Sequence, residues 1–139
     1  MIVLDASAGV ALLINDVGLA PPVARRMAGE QVHSPEVFDL EVLQALRGLH
    51  RGGKRSLDET AADVAALESL ALDRWPHLPF DSYIWQLRDR LTAYDAAYVA
   101  LAEALDAPLV TLDAKLAGAA PPSARVEVIE ASLGGSRRI

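Results

Sequence analysis

The chain has 139 residues, no cysteine, and 52% hydrophobic but only 5% aromatic residues, which reads as a single domain with a core of Ala, Val and Leu. Disulfide frameworks and thiolate metal sites are excluded, and no uninterrupted apolar run approaches the ~18 residues of a membrane span, so a soluble cytoplasmic protein without membrane contact is expected. The formal net charge of -6 excludes a uniformly basic surface and confines any nucleic-acid partner to a local patch.

In chain order, Ile2-Val3-Leu4 predicts a buried strand closed by Asp5. A helix follows from about Ser7, whose hydroxyl is suited to cap it, to about Ile14. Gly18, Pro21 and Pro22 predict a turn before a short helix through Val23, Arg25, Arg26 and Met27, which Gly29 ends. Val32-His33-Ser34 predicts a short strand. Pro35, tolerated at a helix start, opens a helix to about His50 with Phe38, Val42, Ala45, Leu46 and Leu49 on one face and Glu41 at its border. Leu40 and Leu43 project away from that face and predict an exposed apolar patch.

Arg51-Gly52-Gly53-Lys54-Arg55 predicts a helix stop and a basic loop, and Ser56-x-x-Glu59 is a capping-box pattern opening a helix to about Leu72. Pro76 and Pro79 leave room for only a short or edge strand between Arg74 and Phe80. A helix over 82–91 leads into a more apolar one. There Ala97, Ala100, Leu101, Ala104 and Leu105 form a stripe that Ala96, Val99 and Ala102 widen nearly all round. Leu109-Val110-Thr111-Leu112 predicts a buried strand closed by Asp113. One or two helical turns over Ala114 to Ala119 and a last strand over Val126 to Ile129 complete a domain spanning 1–133, with a frayed basic tail over 134–139.

Strands separated by helices imply parallel pairing through right-handed crossovers, hence a three-layer α/β sandwich: a short parallel sheet of four to five strands flanked by helices. Ligands collect at the carboxyl ends of such strands. Asp5 and Asp113 fall on that edge, Asp95 opens the helix feeding the Asp113 strand, and Glu41 lies on a helix turned partly inward. Thr92-x-x-Asp95 fits a capping box equally well, with the Asp95 carboxylate bonding back to the Thr92 amide. Two unit charges ~4 Å apart repel by about 4 kcal/mol at an effective dielectric near 20, so clustered carboxylates either take up protons or bind cations. All-oxygen donors select a hard ion, Mg²⁺ or Mn²⁺. His33, His50 and His77 stand at no metal-ligand spacing and read as structural or exposed, with His33 a candidate for the rim of the site.

Four segments together resemble the acidic quartet of PIN-domain ribonucleases, and most closely the VapC toxin group of type II toxin-antitoxin systems. They are Ile-Val-Leu-Asp-Ala-Ser around Asp5, Pro-Glu-Val-Phe-Asp-Leu-Glu-Val around Glu41, Leu-Thr-Ala-Tyr-Asp-Ala-Ala-Tyr-Val-Ala-Leu-Ala around Asp95 and Pro-Leu-Val-Thr-Leu-Asp ending at Asp113. The resemblance implies Mg²⁺-dependent endonucleolytic cleavage of RNA, with Mn²⁺ able to substitute, inhibition by a small antitoxin and a toxin homodimer. Asp5 and Asp95 would be the main metal ligands, with Glu41 and Asp113 completing the site, and Ser7 and Thr111 match small hydroxyl positions near it. Some members carry a further acid after the position matching Asp113, where this chain has Lys115.

Arg47, Arg51, Lys54, Arg55 and Lys115 are the candidate contacts to RNA phosphates. Four carboxylates without a nearby histidine point to water as nucleophile, leaving 5′-phosphate and 3′-hydroxyl ends. A phosphohydrolase or a phospho-accepting receiver also places aspartates at strand ends. The former expects a second aspartate where Ser7 stands, and the latter adjacent acids after its first strand. A catalytically silent partner-binding module, its acids serving as caps, is the third reading.

Overall fold

A computed structural model describes residues 1–132; the basic tail expected over 134–139 lies outside the described residues. Ile2–Leu4 (β1) is fully buried, as a strand flanked on both sides and both faces must be. It runs parallel to Val32–Pro35 (β2) on one side and to Leu109–Thr111 (β4) on the other. Asp73–Trp75 (β3) pairs with β2, and Val126–Val128 (β5) with β4, giving a five-stranded parallel sheet in the order β3-β2-β1-β4-β5. The expected parallel α/β architecture is thus present, with β3 as the expected edge strand.

The helices are Ala6–Leu13 (α1), Ala20–Met27 (α2), Val37–Arg51 (α3), Leu57–Glu68 (α4), Asp81–Gln86 (α5), Ala93–Ala104 (α6) and Ala114–Ala119 (α7). From β1 the chain winds outward through β2 to β3, then returns to β4 and winds outward through β5. Right-handed crossovers in these two opposite directions put α1 to α4 on one face and α5 to α7 on the other. Strand order reverses at β1, so the crevice at such a reversal opens beside Asp5, the residue that follows it.

Several boundaries differ from expectation. Pro35 ends β2 rather than opening a helix: it pairs with Trp75, and the Glu36 amide continues the ladder to the Trp75 carbonyl at 2.8 Å, so α3 begins only at Val37. The core face of α3 is Phe38, Val42 and Leu46, whereas Ala45 is exposed. α4 stops at Glu68 because the chain must straighten into β3. The helix expected over 82–91 is confined to α5; the Leu87 amide bonds the carbonyls of both Tyr83 and Ile84, and this tightened turn releases the chain toward Thr92. The capping box at Ser56 and Glu59 is complete.

α1 and α3 approach closely at Gly9, where an added Cβ would stand 2.6 Å from Cζ of the fully buried Phe38. Gly9→Ala would gain up to about 1 kcal/mol of helix propensity but incur an overpacking cost of ~1–3 kcal/mol. Net destabilisation by about 1 kcal/mol is expected in urea unfolding, and a more stable variant would contradict the close approach.

Candidate active site

The parallel register pairs Leu4 with Val110, so the residues that follow meet above the sheet edge. Asp5, 7% exposed, receives the Thr111 hydroxyl at 2.6 Å and the Ser7 hydroxyl at 2.7 Å, both on Oδ2. The hydroxyls are themselves aimed. Ser7 Oγ accepts the Leu112 amide at 3.1 Å, and Thr111 Oγ1 accepts the Asp113 amide at 3.0 Å, which leaves each proton for the carboxylate. Ser7 therefore serves the carboxylate rather than capping α1, whose N-cap residue is Asp5 itself, without a side-chain cap bond.

Asp113 is the N-cap of α7, its Oδ1 accepting the Lys115 amide at 2.9 Å. Asp95 lies in the first turn of α6, where the Thr92 hydroxyl accepts the Asp95 amide at 3.1 Å. The cap at Thr92 is therefore present, but the reciprocal bond to the Thr92 amide is not among those formed, in contrast to Ser56 and Glu59. From the opposite face of the sheet, Glu41 on α3 accepts the Tyr98 hydroxyl of α6 on Oε1 at 2.6 Å.

Burial pushes the Glu41 carboxyl above its ordinary range, the Tyr98 hydroxyl pulls it back, and the charges of Asp5 and Asp95 push it further up. Asp95 is likewise raised by burial and then by Asp5 and Asp113, against the opposing Thr92 hydroxyl. Tyr98 is raised by burial and then by its bond to Glu41, which keeps the phenol a neutral donor. The four carboxylates thus share one electrostatic environment. Among the described residues no group of three or more His, Asp or Glu side chains stands close enough together to hold a metal ion.

The basic residues divide differently. Arg47 and Arg51 are exposed on the C-terminal half of α3 and Lys54 in the turn after it, and Arg51 lies ten positions, or ~15 Å of helix, from Glu41. Arg55 is committed to Asp63 in a two-pronged pair at 2.6 and 2.7 Å, with Glu59 nearby. Lys115 is exposed immediately beside Asp113. His33 is not on a rim: it is buried in β2 and its Nδ1 accepts the Trp75 indole N–H at 3.0 Å. His50 Nδ1 contacts the Arg55 carbonyl and His77 Nδ1 the Asp81 carboxylate.

Leu40 and Leu43 are exposed as expected, at 67% and 39%. Leu40 lines a groove of about 940 Å³ together with Ile84, Trp85 and Tyr94, bordered by Glu36 and Asp81. Thr92, Ala93 and Ala97 also line it, so the groove includes the start of α6, the helix that carries Asp95. Tyr98 went unassigned by sequence reasoning because a tyrosine within an alanine-rich helix reads as core. Its signal was the single polar atom in an otherwise apolar stripe.

The PIN domain family matches residues 2–120 of the chain. Ribonuclease VapC12 of Mycobacterium tuberculosis is 44% identical over 129 residues, which cover 93% of this chain and 99% of the relative. PAE2754 from Pyrobaculum aerophilum shares the fold with a TM-score of 0.67 at 24% identity, covering 89% of this chain and 81% of that one. VapBC2 from Rickettsia felis, solved bound to a DNA fragment from its promoter, shares the fold with a TM-score of 0.66 at 15% identity, covering 94% and 100%. With the family matched across most of its length and a ribonuclease VapC relative aligned almost end to end, the chain belongs to the PIN-domain family, in the VapC ribonuclease group.

Proposed function

We propose that the chain is a divalent-metal-dependent endoribonuclease, using Mg²⁺ with Mn²⁺ able to substitute, and the toxin of a type II toxin-antitoxin pair. The observation that supports this reading is the mutual electrostatic influence of four carboxylates: Glu41 is pushed up by burial and by Asp5 and Asp95, and Asp95 by burial and by Asp5 and Asp113. Such charge calls for a cation. The chemistry of the donor set fits Mg²⁺, since every candidate ligand is a carboxylate oxygen. Asp5 and Asp95 would be the main ligands, Glu41 and Asp113 would complete the site, and Ser7 and Thr111 would support Asp5.

When bound, the ion supplies acidity to water and neutralises charge developing on the phosphate. The chain's own part is to hold the carboxylates still. Thr111 and Ser7 fix Asp5, the α7 amide of Lys115 fixes Asp113, and the exposed Lys115 ammonium would meet a substrate phosphate. Arg47, Arg51 and Lys54 would contact phosphates further along the RNA, with Arg55 contributing least because Asp63 holds it. The ring nitrogens of His50 and His77 that form contacts meet groups outside the quartet, and His33 is buried against Trp75, which favours hydrolysis by water over attack by the 2′-hydroxyl.

The partner would be a small antitoxin whose apolar segment covers Leu40 and the adjoining groove and whose basic side chain meets the acidic site. The active form would be a homodimer in the cytoplasm, and no helix among the described residues is long and apolar enough to cross a membrane. Purified protein is expected to cleave RNA in Mg²⁺ or Mn²⁺ and to stop in chelator, and co-expression with the neighbouring reading frame should retain a small protein that blocks cleavage. Cleavage undiminished in chelator, or a chain that never retains a small partner, would overturn the corresponding half of the reading.

A further inference from the structure

The ring of Tyr98 is fully buried and its hydroxyl donates to Glu41 Oε1 at 2.6 Å, a bond that joins α6 to α3 over the end of the sheet. Asp5 is held by two hydroxyls and Asp113 by a backbone amide of its own helix turn, and both have short side chains. Glu41 has one more rotatable bond and stands half-buried. The Tyr98 hydroxyl is the one side-chain donor found on it among the described residues.

From this geometry we infer that Tyr98 is a positioning residue for the metal site: its hydroxyl fixes Glu41 through Oε1 and leaves Oε2 to the cation. The inference rests on the metal-dependent reading above. Tyr98 stands three positions after Asp95, on the same side of α6, so one rigid helix carries one candidate ligand and orients a second. Residues Ala96 to Ala102 are all buried, and that packing leaves the phenol no room to follow a wandering carboxylate. A donor fixed in this way orients a ligand much as outer-shell partners do in other metal sites, where their loss weakens metal binding by roughly 10- to 100-fold.

The test is a two-by-two set of variants: wild type, Tyr98→Phe, Glu41→Gln and both together. Mn²⁺ binding is measured by calorimetry and electron paramagnetic resonance on the unreacted protein, alongside kcat and KM for RNA cleavage. Tyr98→Phe keeps the ring and removes only the hydroxyl. It is expected to weaken Mn²⁺ binding by at least about 10-fold and to lower kcat with little change in RNA KM, since no phosphate contact is lost. In the Glu41→Gln background the same change should cost less than about 2-fold, because there is no carboxylate ligand left to orient.

Equal losses in both backgrounds would mean that Tyr98 acts only through packing and would overturn the inference, as would wild-type Mn²⁺ affinity in Tyr98→Phe. Should wild type itself bind no Mn²⁺, the metal reading falls first and this inference with it. If Tyr98→Phe does not fold, Glu41→Asp tests the bond from the other side. Shortening the carboxylate away from an intact Tyr98 should reproduce the loss of affinity, and unchanged affinity would overturn the inference.

Discussion

Asp95→Asn is expected to lower RNA cleavage by at least about 10²- to 10³-fold while leaving the fold intact, the scale on which removing one preorganised electrostatic group from an active site acts. The variant keeps the amide bonded to Thr92 and the buried alanine face of α6, so nothing in the helix start depends on the charge. Stability should hold or rise. Asp95 is raised above its ordinary value by burial and by Asp5 and Asp113, so the folded protein binds that proton more readily than the unfolded chain does. Between the ordinary and the raised pKa, stability therefore falls as pH rises, and the loss persists at neutral pH.

Asparagine removes that contribution. Because Asp95 is only about half buried, the gain is at most ~1 kcal/mol, read as a higher melting temperature at neutral pH and a shallower dependence on pH through the acid range. Undiminished Mg²⁺-dependent cleavage by the variant would remove Asp95 from the site. A marked loss of stability would show instead that the carboxylate is a structural cap.

Thr111→Val is expected to produce the largest loss of stability of any near-isosteric change at the site. Thr111 is fully buried, and its hydroxyl has two tasks: it donates to the buried Asp5 carboxylate at 2.6 Å and accepts the Asp113 amide at 3.0 Å. Valine keeps the shape and removes both. A hydrogen bond to a charged group contributes ~1.5–3 kcal/mol, and an amide left without a partner costs ~1–3 kcal/mol, so a destabilisation of about 3 kcal/mol is expected in urea unfolding. Cleavage should fall as well, since Asp5 then rests on Ser7 alone. Thr111→Ser keeps the hydroxyl and should recover most of both. A valine variant as stable as wild type would mean that the Ser7 hydroxyl suffices to hold Asp5.

The sheet edge was legible because buried strands announce themselves as short apolar runs and because the aspartates stand at their ends, where a parallel sheet exposes its ligand side. Asp5 and Asp113 required only that β1 and β4 be neighbours, and the register provides it. Glu41 was legible as a border residue of its helix, but the partner it meets lay beyond such reasoning. A residue at the border of a helix face has no sequence mark for what it meets, and Tyr98 reaches it from the other side of the sheet.

Charge pattern misled in one place. Arg55 reads as part of a basic loop, but Asp63 lies eight residues on, two helical turns into α4, where it faces back and pairs with the guanidinium. Local propensity was overridden at Pro35, where the ladder to β3 holds the backbone extended against a preference for opening a helix. Helix length after Asp81 was overridden as well, because the chain must turn at Leu87 to present Thr92 to the start of α6.

Metal-assisted hydrolysis and attack by the 2′-hydroxyl differ in how the phosphodiester bond is broken. End-group analysis of an RNA oligonucleotide cleaved once by the protein in Mg²⁺ decides it. The proposed metal-dependent reaction, with the contacting ring nitrogens of His50 and His77 engaged elsewhere and His33 buried against Trp75, predicts 5′-phosphate and 3′-hydroxyl ends, and cleavage that survives a single 2′-deoxy substitution at the cut. A 2′,3′-cyclic phosphate, with cleavage abolished by the 2′-deoxy substitution, would contradict it.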